Sequence, residues 1–109
     1  MRAVLARHGY SVLAAQRPQE AETICREYGQ KIDLLLTDVI LPEMTGPDLA
    51  KRLMARDPGM RIMFMSGYID DSVVREEIRD KGIAYLQKPF TPANLVKKVR
   101  DVLDAVEVR

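Results

Sequence analysis

Residues 32–46 decide the fold, and they read Ile-Asp-Leu-Leu-Leu-Thr-Asp-Val-Ile-Leu-Pro-Glu-Met-Thr-Gly. The leucines Leu34 to Leu36 form a short apolar run that does not alternate with polar residues. Such a run is typical of a parallel strand buried on both faces of its sheet. We therefore predict a strand over residues 32–38 that ends at Asp38, followed by a loop from Val39 to Gly46.

Helix and strand patterns alternate on both sides of this stretch. Before it we predict the end of a helix over Met1–His8, a strand over Tyr10–Ala15 and a helix over Pro18–Tyr28. After it we predict a helix from Pro47 that stops before Asp57, a strand over 61–65, a helix over 70–81, a strand over 83–87 and a helix capped by Thr91. Regular alternation with short links predicts an α/β fold, a doubly wound parallel sheet with helices on both faces.

Length and charge limit the classes of protein that the chain can represent. Its 109 residues suit one domain, which we place over 1–109. With 17 basic and 16 acidic residues, the net charge of +1 gives no bulk reason to expect nucleic acid or a membrane as a partner. One cysteine and no apolar run of roughly 20 residues favour a cytoplasmic protein.

Three polar side chains follow three of the predicted strands. Asp38 ends the run Leu-Leu-Leu-Thr-Asp, Ser66 follows Met-Phe-Met, and Lys88 follows Tyr-Leu-Gln. Because ligands of open parallel sheets bind at the carboxyl ends of the strands, we expect these side chains to converge. Asp38 can act as a nucleophile towards a phosphoryl group. Lys88 and Ser66 can bind the oxygens over which that group spreads its negative charge.

The loop after Asp38 resembles the receiver domains of two-component response regulators. Asp38 is followed by Pro42 and Gly46, the spacing of the phosphoacceptor motif of that family. The resemblance covers essentially the whole chain, including Gly9-Tyr10-Ser-Val, which matches the segment that leads into the family's second strand. It implies the flavodoxin-like receiver fold, with strand order 2-1-3-4-5.

The later motifs carry the same resemblance. Ser66 matches the family's Ser/Thr, Lys88-Pro89 matches its Lys-Pro pair, which is usually joined by a cis peptide bond, and Tyr85 matches the aromatic residue that moves on activation. The sequence Phe-Met-Ser-Gly-Tyr at residues 64–68 resembles the corresponding sequence of receivers attached to hybrid histidine kinases.

The resemblance also implies a function and partners. A receiver is a signalling module of a phosphorelay, not an enzyme in its own right, and takes a phosphoryl group from a sensor histidine kinase or a histidine phosphotransfer protein onto Asp38. Mg²⁺ would assist, held by Asp38 and the backbone carbonyl of Ile40. Ser66 and Tyr85 would couple phosphorylation to a protein-contact face, as a switch driven by local charge.

The chain departs from the family at its start. A complete receiver begins with a strand that carries an acidic pair, whereas the first acidic residue here is Glu20, within a predicted helix. We expect Mg²⁺ to bind poorly, because it usually needs one or two carboxylates besides phosphate oxygens. The missing strand is central in the family's order, so we expect a rearranged sheet, a strand exchanged between copies in a homodimer, or low stability.

Two other functions compete with phosphoacceptance. A receiver-like interaction domain that is never phosphorylated is favoured by the missing acidic pair and opposed by Asp38, Ser66 and Lys88. A small flavodoxin-like enzyme or nucleotide binder is weaker, because no glycine-rich phosphate loop follows any predicted strand. We interpret His8 as a helix-end residue and Cys25 as a small core residue.

Overall fold

A computed structural model describes residues 2–66 and 83–105 of the chain. The helices are α1 (Arg2–Arg7), α2 (Pro18–Tyr28), α3 (Gly46–Arg56) and α4 (Pro92–Asp104), and the strands are β1 (Leu34–Asp38), β2 (Arg61–Ser66) and β3 (Ala84–Gln87). The helix predicted over 70–81 lies outside the described residues.

The three strands form one parallel sheet in the order β1-β2-β3. In its register Asp38 lies opposite Met65, and Ser66 lies opposite Gln87. The ends of all three strands therefore lie along one edge of the sheet. The predicted α/β parallel fold is confirmed.

Local sequence signals explain where the helices begin and end. Pro18 opens α2, and Gly29 closes it in the left-handed conformation, with φ 73°. The side chains of Thr45 and Thr91 cap α3 and α4 by accepting hydrogen bonds from the backbone N–H groups of Asp48 and Asn94, at 3.2 and 3.1 Å.

The core lies on both faces of β2. On one face Phe64 packs with Val39 and Ala50, below α3. On the other face Met63 packs with Leu95 and Val99 of α4. Successive side chains of a strand point to opposite faces, so β2 buries Phe64 on the face covered by α3 and Met63 on the face covered by α4.

The strand predicted over Tyr10–Ala15 is wrong. These residues belong to no helix or strand of the structure, although Tyr10 and Val12 pack against the cluster under α4. A strand exists only where a neighbour satisfies its N–H and C=O groups. In the order 2-1-3-4-5 this segment would pair with the family's first strand alone, and within residues 2–66 and 83–105 no such strand lies beside it. Leu13 is consequently 47% exposed.

No helix within the described ranges is long and apolar enough to span a bilayer.

Candidate functional site

An ion pair between Asp38 and Lys88 marks the edge where the strands end. The Nζ atom of Lys88 lies 2.7 Å from Oδ1 of Asp38. The side chain of Asp38 is 39% exposed and that of Lys88 is 42% exposed. The carboxylate is thus accessible from solvent while one of its oxygens is held by a cation.

Backbone hydrogen bonds at the strand ends position these two side chains. The N–H of Val39 donates to the carbonyl of Met65 at 3.1 Å, which fixes the end of β1 against β2. The N–H of Lys88 donates to the carbonyl of Ser66 at 2.8 Å, which fixes the end of β3 against β2. The peptide bond between Lys88 and Pro89 is cis. β2 therefore serves as the common support of the pair.

Ser66 lies on β2, and Tyr85 lies on β3. Ser66 is buried at the end of β2, between β1, which ends at Asp38, and β3, which leads into Lys88. Tyr85 is half-buried on β3 and packs against the cluster of Val39, Ala50 and Phe64. The structure thus brings Asp38, Ser66 and Lys88 to one edge of the sheet, with Tyr85 further back along its strand.

The loop after Asp38 is held tightly against the sheet at Gly46. Its N–H donates to the carbonyl of Val39 at 2.6 Å. A Cβ atom at position 46 would lie 2.3 Å from the backbone oxygen of Asp38 and 3.0 Å from the Phe64 ring. Only a glycine fits this approach, because real Cβ atoms do not come so close to backbone oxygens.

The turn within the loop is closed by local contacts. Ile40 and Thr45 form an isolated antiparallel bridge, and the N–H of Leu41 donates to the carbonyl of Met44 at 3.2 Å. Glu43 takes a positive φ of 72°, and its carboxylate accepts a hydrogen bond from the side-chain amide of Gln19. This loop is therefore connected to α2 as well as to the sheet.

Thr37 belongs to the site's support, and the sequence analysis did not single it out. Its side chain is buried, and its hydroxyl donates to the carbonyl oxygen of Asp38 at 3.1 Å. Its position after three leucines in a buried strand could have identified it, because a buried hydroxyl needs a hydrogen-bond partner.

The donors at this edge do not fit a resident Mg²⁺ ion. Asp38 offers one carboxylate, and Lys88 already occupies one of its oxygens. Ile40 lies two residues past Asp38 and could add only a backbone carbonyl to this carboxylate. Across residues 2–66 and 83–105 there is no group of three or more His, Cys, Asp or Glu side chains arranged to hold a metal. A single paired carboxylate falls short of the usual oxygen set for this ion.

Comparison with known proteins gives consistent relatives. Residues 1–100 match the family model of the response regulator receiver domain. The sensor kinase CckA of Brucella abortus is 36% identical over 96 residues, which cover 88% of this chain and 10% of that protein. The chemotaxis protein CheY of Thermotoga maritima is 28% identical over 91% of this chain and 82% of that protein. The chain thus spans only a small part of the kinase that it resembles.

Solved structures of receivers share the fold. A receiver from Methanospirillum hungatei superposes with a TM-score of 0.80 at 28% identity, over 94% of this chain and 80% of that one. The receiver domain of the hybrid histidine kinase CckA gives a TM-score of 0.75 at 33% identity, over 94% of this chain and 84% of that one. The parallel fold, the match to the family model and these relatives together show that this chain belongs to the response regulator receiver family of two-component signalling.

Proposed function

We propose that this chain accepts a phosphoryl group on Asp38 from a phosphohistidine of a sensor kinase or phosphotransfer protein. The observation that carries the proposal is the 2.7 Å contact between Lys88 Nζ and Asp38 Oδ1 at an exposed edge of the sheet. It places a nucleophile and a cation side by side, where a second protein can reach them. Receivers of this family interact with histidine kinases or phosphotransfer proteins.

The reaction forms one bond and breaks one. A carboxylate oxygen of Asp38 attacks phosphorus and the P–N bond to the donor imidazole breaks. The imidazole, protonated on its other ring nitrogen, keeps the electron pair and leaves as neutral imidazole. Lys88 then binds a phosphoryl oxygen in place of the carboxylate that it holds now. The hydroxyl of Ser66 donates to another phosphoryl oxygen.

The family generally binds Mg²⁺, which supplies charge neutralisation at the phosphoryl oxygens when bound. Since the donor set of this chain does not fit the ion, the roles proposed here for Asp38, Lys88 and Ser66 are independent of it.

The proposed switch begins at Ser66 and ends at Tyr85. A phosphoryl group on Asp38 would draw the Ser66 hydroxyl towards it and change the packing beside Tyr85, which packs against the cluster of Val39, Ala50 and Phe64. The protein-contact face altered by this change would be formed by β3 and α4.

The test is the intact mass of the chain after incubation with acetyl phosphate, with and without Mg²⁺. We expect one phosphoryl adduct in the wild-type chain and none in Asp38→Ala. Asp33→Ala is the matched control, because Asp33 lies five residues earlier and its side chain is 72% exposed, away from the strand ends. An adduct that survives in Asp38→Ala, or none on a folded wild-type chain, would refute phosphoacceptance.

Lys88→Ala separates the cation from the nucleophile. We expect the rate of adduct formation to fall by about 10²–10³-fold, the usual effect of removing one donor to a developing oxyanion. Lys31→Ala is the control, because that lysine is exposed and paired only loosely with Asp33, at 4.0 Å. Equal rates in Lys88→Ala and the wild type would show that the ion pair is only structural.

A second candidate function is a receiver-like interaction domain that acts without phosphorylation. Within residues 2–66 and 83–105 no group of three or more His, Cys, Asp or Glu side chains is arranged to hold a metal, which favours this candidate. It predicts that a bound partner is retained equally by the wild type and by Asp38→Ala, whereas phosphorylation-dependent binding would be lost in the variant.

A further inference from the structure

The peptide group that follows Asp38 is held at both of its polar ends. Its N–H, which belongs to Val39, donates to the carbonyl of Met65 at 3.1 Å. Its carbonyl oxygen, which belongs to Asp38, accepts from the hydroxyl of Thr37 at 3.1 Å. Because a peptide group is planar, hydrogen bonds at both ends fix the orientation of the whole plane.

The contact between Thr37 and this carbonyl lies on the face of the sheet that α3 covers. Thr37 follows Leu35 by two residues on β1, so both side chains point to the same face, where Leu35 packs against the buried cluster that contains Phe64. A Cβ atom at Gly46 would lie 2.3 Å from the same oxygen of Asp38. Thr37 itself is only 6% exposed. Since a buried carbonyl without a donor destabilises the fold, the hydroxyl of Thr37 has a specific partner to satisfy.

The orientation of this peptide plane decides where the carboxylate of Asp38 lies. On the N-terminal side of its Cα atom, the chain is fixed by the pairing of β1 with β2, in which Asp38 lies opposite Met65. On the C-terminal side it is fixed by the plane that Thr37 holds. With both sides fixed, the side chain leaves the backbone in one direction, towards Lys88 Nζ at 2.7 Å from Oδ1. Reacting groups must be held to within about 0.5 Å of their productive geometry, so this restraint bears on the reaction.

We propose that Thr37 is a positioning residue for phosphoryl transfer, whose hydroxyl holds the peptide plane after Asp38 and thereby presents the carboxylate beside Lys88 to the incoming phosphorus. The inference rests on the proposed phosphoacceptance of Asp38. Thr37 acts only through Asp38, whereas Lys88 and Ser66 would bind the phosphoryl oxygens. Loss of the hydroxyl should therefore lower the maximal rate and leave the binding of the phosphodonor unchanged.

The test compares the wild-type chain with Thr37→Val, Thr37→Ala and Thr37→Ser. Valine keeps the shape of threonine without the hydroxyl, and serine differs from alanine by one oxygen atom. The initial rate of adduct formation is measured by intact mass over a range of acetyl phosphate concentrations. We expect the maximal rate to fall about tenfold in the valine and alanine variants, less than the roughly 10²-fold that a displacement of about 1 Å can cost. The half-saturating concentration should stay the same, and the serine variant should keep most of the wild-type rate.

Leu35→Val is the matched control for a general loss of stability. Leu35 lies two residues earlier on the same face of β1, and its side chain packs against the same buried cluster as the Phe64 ring. Shortening it should lower the midpoint of urea denaturation without touching the carbonyl of Asp38. We expect its rate of adduct formation to equal that of the wild type.

A second measurement needs no phosphodonor. The nuclear Overhauser effect between the β-methylene protons of Asp38 and the ε-methylene protons of Lys88 reports how closely the two side chains are held. We expect a cross-peak in the wild type and in Thr37→Ser, and a weaker one in Thr37→Val and Thr37→Ala. If the folded wild type forms no adduct, the proposed function fails, and this cross-peak alone decides the role of Thr37.

Three outcomes would overturn the inference. The first is equal maximal rates in the alanine and serine variants of Thr37, or a change in the half-saturating concentration alone. The second is a loss of rate in Leu35→Val as large as that in Thr37→Val, which would assign the effect to stability. The third is a cross-peak between Asp38 and Lys88 that is the same in all four chains.

Discussion

β2 and β1 carry similar apolar runs, but their surroundings differ. In β2 the residues from Met63 to Ser66 are all buried, and the strand is paired on both sides. In β1 the leucines Leu34 to Leu36 are only half-buried, and among the described strands β1 pairs with β2 alone. The difference shows that burial is decided by neighbouring strands and not by the composition of the run alone.

The largest expected effect comes from truncating the centre of β2. Phe64 is fully buried between α3 and the sheet, so Phe64→Ala should lower the free energy of unfolding by about 3–5 kcal/mol. Leu36→Ala, in the half-buried run of β1, should cost below about 2 kcal/mol. Urea denaturation measures both. Equal losses would mean that the outer edge of β1 is covered in solution, and would contradict the difference in burial between β1 and β2.

A smaller effect is expected where the loop after β1 meets β2. Gly46→Ala places a Cβ against the carbonyl of Asp38 and the ring of Phe64, and should cost about 1–3 kcal/mol. Gly59→Ala is the matched control, since its Cβ would meet nothing closer than 3.8 Å. Thermal unfolding of both variants measures the difference. If Gly46→Ala is as stable as Gly59→Ala, Gly46 does not pack as closely against Asp38 and Phe64 as the structure shows.

The helices that cover the two faces of β2 should contribute comparably. Removing the cap of α3 in Thr45→Ala or that of α4 in Thr91→Ala should each cost about 1 kcal/mol. The serine variants retain the capping oxygen and should restore most of the loss in urea denaturation. A loss confined to one helix would show that the cap of the other helix does not contribute to stability.

The smallest effect concerns the thiol of Cys25 in α2. Burial raises the pKa of Cys25, Arg56 opposes that shift, and Asp57 adds to it. The folded chain therefore keeps the thiol proton at a pH where the unfolded chain releases it. The resulting stabilisation is present below the ordinary thiol pKa of about 8.5, and is lost as pH rises through the raised value.

Alkylation rates between pH 8 and pH 10 check this shift, with the urea-unfolded chain as the reference. The native thiol should reach half of its maximal reactivity at a higher pH than the unfolded one. Coincident profiles would show that Cys25 is open to water.

Much of the fold was predictable because its signals are local. Pro18 and Gly29 fixed both ends of α2, and the leucine run located β1 to within two residues. The segment over Tyr10–Ala15 was predicted wrongly, because an extended sequence becomes a strand only beside a partner. That partner is a property of the tertiary structure, which a local pattern does not contain.

The site was predictable in outline but not in its contacts. Parallel strands that end at one edge bring Asp38, Ser66 and Lys88 together, and the sequence already shows each of them at the end of a predicted strand. The hydrogen bond from Thr37 to the Asp38 carbonyl and the close approach of Gly46 depend on the register of β1 against β2, which spacing along the chain does not determine.

The ion pair between Asp38 and Lys88 joins residues 50 positions apart. Asp38 ends β1 and Lys88 follows β3, and these two strands are not neighbours in the sheet. A slip of one residue in either strand would move one partner by about 3.3 Å and turn its side chain to the opposite face, so the contact would be lost. The pair therefore forms only when three strands are aligned at once. The NMR resonances of Asp38 and Lys88 would therefore report in one measurement whether all three strands are in register.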